Sequence, residues 1–215
     1  VYVTNDNRQS DNLRNVVALM DLGEPKRLYR RTFQKPSGPN ALPDNNANTL
    51  LSQVLAGDTE ARTEQTVDDY LSRPAGLALQ RSVDYEHIRA RKLDPREYTY
   101  NAQLGYISLN TQLLPEQVLA VSYQYIDNRS ARSSRTEGTR PKQVGEITTD
   151  YGSRGQNEVI FLKLLKATNP GVGLADPSQN PSNENLQTRN LPTWDLMMKN
   201  IYPLNASQLN RDNFQ

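Results

Sequence analysis

The chain has no cysteine, and that excludes disulfides, thiolate nucleophiles and structural cysteine zinc sites. His87 is the single histidine, so a histidine metal cluster is impossible and an imidazole acid–base dyad would rest on that residue alone. No apolar run approaches the roughly 18–20 residues of a membrane helix. Charge of one sign is missing too. Twenty-five basic residues face 24 acidic ones, a net charge of +1, and the two kinds intermix along most of the 215 residues. No field able to steer a polyanion builds up, so nucleic acid is not an expected partner. The hydrophobic share is 35% and mean hydropathy is −0.78, below the roughly 45–50% of an ordinary globular chain. A modest core with long polar excursions follows.

Tyrosine outnumbers phenylalanine 11 to 3. That ratio favours strands and interfaces in which a ring is covered while its hydroxyl reaches water or a partner. The strand signals agree. Val1-Tyr-Val-Thr4 runs into the turn Asn5-Asp6-Asn7, and Asn15-Val-Val-Ala-Leu-Met-Asp-Leu22 is closed by Gly23 and Pro25. Val83 to Ala90 is a strand with imperfect alternation, followed by a proline turn at Asp94-Pro95-Arg96-Glu97. Tyr98 to Asn110 and Pro115 to Tyr125 then pack a strand, a glycine turn, a second strand, a proline break and a long third strand into an antiparallel meander. Gln143 to Thr149 is placed to return against that third strand, and the apolar run Glu158 to Lys166 is a further strand.

Three short helices are predicted between these strands. Asn48 caps Thr49 to Ala56, with Gly57 as its stop; Thr66 and Asp69 stand at capping-box spacing over Thr66 to Ser72; Thr193 caps Trp194 to Asn200. Tracts 24–47, 127–142 and 168–192 are rich in Pro, Asn, Ser, Gly or charge and read as long loops. The fold class expected is mainly β: an antiparallel, jelly-roll-like β-sandwich with two or three short helices in its connections, as one soluble domain over 1–215.

No catalytic, cofactor-binding or metal-ligating residue stands out. His87, between Glu86 and Arg89, reads as a surface or interface histidine. Asp68-Asp69 and Glu97 would serve as paired acid and base only in a cleft, and capping explains the first pair. Asp44-Asn45-Asn46 and Asp176 lie in oxygen-rich loops but lack EF-hand spacing, so turn formation is their expected role. Gly152-Ser-Arg-Gly155 and Gly171-Val-Gly173 do not open helices as phosphate cradles do. The basic run Arg129 to Lys142 reads as a solvated hairpin loop, with a phosphate or lipid-headgroup site as the alternative.

Three stretches, in order, carry a family likeness. They are Asn12-Leu-Arg-Asn-Val-Val-Ala-Leu-Met-Asp-Leu-Gly-Glu24; the Tyr98 to Tyr125 meander with Val144-Gly-Glu146; and Phe161-Leu-Lys-Leu-Leu-Lys166 with Leu191 to Leu204. Together they resemble the SprA/Sov family, the giant outer-membrane translocon of the type IX secretion system in Bacteroidota, also required for gliding motility in some members. The resemblance implies a piece of a much larger β-barrel protein that carries no enzymatic activity and no cofactor. Its expected role is structural: capping or bracing the barrel and contacting secreted cargo or accessory outer-membrane subunits such as a lipoprotein or plug. It would meet the membrane only through the parent barrel, on the extracellular rather than the periplasmic side, because long insertions between barrel strands usually face outward. Two rivals stand beside it. A carbohydrate-binding β-sandwich would show a groove lined by Tyr85, Tyr98, Tyr100, Tyr123 or Tyr125, and a hydrolase would bring His87 to a serine and a carboxylate.

Overall fold

The computed structural model describes residues 1–5, 13–26, 28–38, 40–126, 141–147 and 158–168. In chain order the strands are β1 (Tyr2–Thr4), β2 (Leu13–Leu19), β3 (Tyr85–Lys92), β4 (Tyr98–Asn101), β5 (Tyr106–Leu109), β6 (Leu119–Val121), β7 (Tyr123–Tyr125), β8 (Lys142–Val144) and β9 (Val159–Lys166). The helices, all between β2 and β3, are α1 (Leu50–Leu55), α2 (Thr59–Arg62) and α3 (Val67–Ser72), after a 3-10 turn at Arg31–Phe33. The described residues are thus mainly β with short helices in a connection, as the sequence leads one to expect.

Five strands close on themselves in the order β1-β3-β2-β9-β6 and back to β1. Hydrogen bonding therefore runs continuously around a barrel, where two separate stacked sheets were expected. The β2–β9 pair is parallel and the other four are antiparallel. Parallel pairing falls on the two strands with the longest apolar runs, and the physical reason is burial on both faces. Val16, Ala18, Ile160, Leu162 and Leu164 point inward with Tyr2, Ala90 and Ala120. Val17, Leu19, Val159 and Phe161 point outward, where Leu50, Val54, Ala61, Val67 and Leu71 of the three helices cover them. A third cluster, Val3, Leu93 and Leu119, seats the β4–β5 hairpin through Tyr98 and Leu109.

Several local expectations shift. The long third strand is split at Ser122: β6 belongs to the barrel, while β7 leaves it and pairs with β8. The N-cap position of α1 is Thr49, whose side chain makes no cap bond, and Asn48, one residue earlier, accepts the Leu50 amide on its Oδ1 at 3.0 Å. Thr66 does not cap α3; its hydroxyl donates back to the Glu60 carbonyl at 2.7 Å, so a capping-box pattern is used instead to tie α2 to α3. The Asp94 to Glu97 turn closes as expected, with Glu97 N–H donating to the Asp94 carbonyl at 2.9 Å. The helix at Trp194 to Asn200, the glycines at 152, 155, 171 and 173, Asp176 and most of the basic loop fall outside the described residues.

That turn supports a pH prediction. Glu97 accepts both arms of the Arg91 guanidinium, at 2.8 and 2.7 Å, and the Asp94 amide at 2.7 Å. These donors favour the ionised form and hold its pKa down at about 2, from 4.5. A depressed carboxylate pKa contributes stability that is present above 4.5 and is lost as pH falls through 2. Urea titrations between pH 5 and pH 2 are expected to show a shallower acid loss for Glu97→Gln than for the parent chain.

Candidate functional site: the polar end of the barrel

β2 is followed by Met20-Asp-Leu-Gly-Glu24, and this turn meets Val144-Gly-Glu146 at one end of the barrel. Both glycines sit at positive φ, +74° for Gly23 and +76° for Gly145. Each is needed sterically as well. A Cβ on Gly23 would lie 2.8 Å from a Val144 methyl, and one on Gly145 would lie 3.0 Å from Ser122 Cβ and 3.2 Å from the Val121 carbonyl oxygen. Asn45 clamps the second turn: its side chain donates to the Gly145 carbonyl at 3.2 Å and accepts the Gly145 amide at 2.8 Å. Asp44 Oδ1 accepts the Asn46 amide at 2.8 Å, an Asx turn, so this loop does the turn-forming work expected of it.

Charges fill the space around this crossing. The Arg62 guanidinium forks onto Glu146 with both contacts at 2.6 Å, donates to the Val159 carbonyl at 3.0 Å and lies 4.9 Å from the Phe161 ring centre. Glu146 in turn accepts the Phe161 amide at 3.0 Å. One ion pair therefore joins α2, β9 and the Gly145 turn. On the other side Arg30 forks onto Asp84 at 2.9 and 2.7 Å. Lys163, only 8% exposed at its side chain, reaches the Met20 carbonyl and Glu24, the latter at 2.8 Å. Asp21 accepts the amides of Tyr29 and Arg30 at 2.9 and 2.7 Å, while Asn48 donates to the Asp21 and Glu24 carbonyls at 2.7 and 3.0 Å. Such an arrangement positions backbone segments. Among the described residues it presents no cluster of three or more His, Cys, Asp or Glu side chains arranged to hold a metal.

A second cluster lies where α3 crosses β3. His87, read as a surface or interface histidine, has a side chain 10% exposed, with Asp68 of α3 against it. Its Nδ1 is 2.9 Å from Asp68 Oδ2, which also faces Arg81 at 3.2 Å. An open cleft of about 570 Å³ beside them is lined by Asp68, Asp69, Ser72, Gln80, Arg81 and Tyr85, among others. Burial, reinforced by the Asp68 carboxylate, pushes the Tyr85 phenol well above its usual range. His87 thus has the carboxylate that a hydrolytic dyad needs, while no hydrogen bond joins it to a serine among the described residues. Glu97 belongs to the other end of β3, paired with Arg91, and does not join Asp68.

The five tyrosines separate. Tyr85 is 1% exposed and Tyr98 packs under its hairpin. Tyr100 and Tyr123 are 57% and 38% exposed, and Tyr123 and Tyr125 have ring centres 6.1 Å apart at 32°. The Tyr123 phenol is raised to about 12, first by burial and then by Glu24, with Tyr125 and Tyr100 adding to it.

Sequence reasoning missed Arg62, Arg30, Lys163 and Asn45 as partners in this end structure. Only Lys163 carried a signal, a cation at the sixth position of an apolar run.

No protein-family model matches the chain. Over 66 residues, 27% of the chain, it is 39% identical to the hemagglutinin-neuraminidase of human parainfluenza 1 virus (strain Washington/1957), and that segment is 12% of the viral protein. The chain therefore spans far less than the length of this curated relative, and the likeness is local.

Proposed function

We propose that this chain is a non-enzymatic structural and interaction domain of a type IX secretion translocon of the SprA/Sov kind, bracing the parent barrel and contacting cargo or accessory outer-membrane subunits. The observation that carries the reading is convergence. The stretches that resemble the family are far apart in sequence, yet 12–24, 144–146 and 161–166 supply β2, the two facing glycine turns, Glu146 and β9, which meet at one barrel end. Residues spent on fixing backbone geometry suit a part that transmits position rather than one that transforms a substrate. The jelly-roll-like sandwich is retained as the finer reading of the architecture. Ala18, Ala90 and Ala120 inside the barrel are small enough for opposite walls to approach as two layers.

The test is photo-cross-linking in the intact translocon during secretion, with probes at Leu104, 73% exposed on the β4–β5 turn, and at Ile126, 61% exposed after β7. Adducts to cargo or to accessory subunits are expected from at least one position, and adducts from neither would sink the reading. Labelling of a cysteine placed at Leu104 by a membrane-impermeant reagent on whole cells is expected, in keeping with an extracellular position; protection until the outer membrane is opened would put it in the periplasm.

A carbohydrate-binding module at the cell surface is the second reading, favoured by the exposed Tyr100 and Tyr123 beside Tyr125. It expects glycan-array binding that Tyr100→Ala and Tyr123→Ala abolish.

A further inference from the structure

The β4–β5 hairpin has an unguarded edge. From Tyr98 to Leu114 the chain carries no charged residue and no proline, the devices that ordinarily keep an exposed strand edge from pairing with another chain. β4 and β5 form a sheet of two strands, so each keeps one edge with no strand beside it among the described residues. The base of the hairpin is seated on the barrel through Tyr98 and Leu109. Beyond that seat it stands clear, with Tyr100 57% exposed, Leu104 73% and Tyr106 51%. The register fixes where the free backbone groups point. Asn110 N–H donates to the Glu97 carbonyl at 2.9 Å, and the pairs Tyr98↔Leu109, Thr99↔Ser108 and Tyr100↔Ile107 follow in turn. Hydrogen-bonded and non-hydrogen-bonded pairs alternate along an antiparallel ladder, so Thr99 bonds towards Ser108 while Tyr98 and Tyr100 direct their N–H and C=O groups away from β5.

We propose that this edge is a self-pairing site: two copies of the chain join β4 to β4, antiparallel about Thr99, into one four-stranded sheet in the order β5-β4-β4-β5. The sequence Tyr98-Thr99-Tyr100 reads the same in both directions. A two-fold axis through Thr99 therefore sets Tyr98 of each copy opposite Tyr100 of the other, and these are the residues whose backbone groups are free to bond across the seam. Thr99 faces Thr99 at the centre. Aromatic–aromatic and Thr–Thr are favoured cross-strand pairs, and with no charge in either strand no repulsion opposes the meeting of identical edges. The seam is short, which puts the pair in the weak class of contacts that bury less than about 1,200 Å². It is independent of the translocon reading, since it needs only a second copy.

Sedimentation equilibrium of the full chain tests it. Over about a hundredfold range of concentration the average mass is expected to rise from one copy towards two and no further. Thr99 is exposed, so its variants leave the hairpin's seat untouched. Thr99→Lys and Thr99→Glu each set like charges directly across the axis and are expected to lose the association, whereas an equimolar mixture of the two is expected to regain it as a mixed pair. Recovery on mixing also shows that both variants are folded. Tyr100→Pro removes an outward N–H without breaking a bond inside the hairpin and is expected to weaken pairing about tenfold, two hydrogen bonds being lost per pair. A parent chain that stays a single copy, association that survives in Thr99→Lys, or a mixture that regains nothing overturns the proposal. Growth beyond two copies overturns it as well, because that is the mark of β4-to-β5 pairing in open chains.

Discussion

Arg62→Ala is expected to destabilise the chain by about 3 kcal/mol, the lower end of what removing one partner from a buried ion pair costs. The side chains of Arg62 and Glu146 are 18% and 12% exposed, so some water reaches them and moderates the loss. The larger part of the effect comes from what is left behind. Without Arg62, Glu146 loses two guanidinium contacts at 2.6 Å while keeping the Phe161 amide at 3.0 Å, and the Val159 carbonyl loses its contact as well. The Phe161 ring also loses the cation above it. Arg62→Lys restores charge but not the fork and should recover only part of the loss. Arg62→Met combined with Glu146→Gln is the decisive variant. It removes both charges, keeps an oxygen for the Phe161 amide, and should be more stable than Arg62→Met alone. Urea denaturation of the parent chain, Arg62→Met, Glu146→Gln and the double variant at pH 7 gives the cycle. If the double variant is no better than the single one, the ion pair is not what binds α2 to β9.

Secondary structure in this chain is legible where one physical signal dominates. Val159-Ile-Phe-Leu reads as a strand because β-branched and aromatic residues crowd a short run, and β9 forms there. Gly105, at φ +68°, turns the β4–β5 hairpin as its position between two tyrosine-rich strands suggests. What does not show is pairing between distant segments. Asn15 lies beside Val159 and Val17 beside Phe161 in a parallel register across 144 residues of chain, and nothing in either run names the other. Barrel closure through Tyr2↔Ala120 is equally silent, being two pairs of small and apolar residues with no local trace. The break in the third strand is a packing event. Alternation continues smoothly through Val121, Ser122 and Tyr123, but Gly145 presses against Ser122 and carries the following residues away from β9. Charged partners are hidden for the same reason. Arg62 sits in a four-residue helix that no periodicity announces, and its partner is 84 residues further on.

Gly23→Ala is expected to cost about 2–5 kcal/mol, made up of two contributions with different remedies. The first is conformational: an L-residue at φ +74° bears roughly 1–2 kcal/mol of strain that glycine does not. The second is steric, about 1–3 kcal/mol for overpacking, because the new methyl would stand 2.8 and 2.9 Å from the two Val144 methyls. Val144 is 1% exposed and belongs to the outer core cluster, so it has nowhere to retreat. Trimming it opens the space. In the Val144→Ala background the Gly23→Ala change should cost only the conformational share, giving a favourable coupling between two residues 121 positions apart. The same treatment fails at Gly145. There the obstacle includes the Val121 carbonyl oxygen at 3.2 Å and Ser122 Cα at 3.2 Å, which are backbone and cannot be trimmed. Gly145→Ala should therefore resist rescue by Ser122→Gly beyond the relief of the 3.0 Å Cβ contact. Thermal midpoints for the two pairs of variants separate these cases. Rescue at Gly23 with none of comparable size at Gly145 is the expected pattern, and additivity at both sites would mean that the two turns do not pack as described.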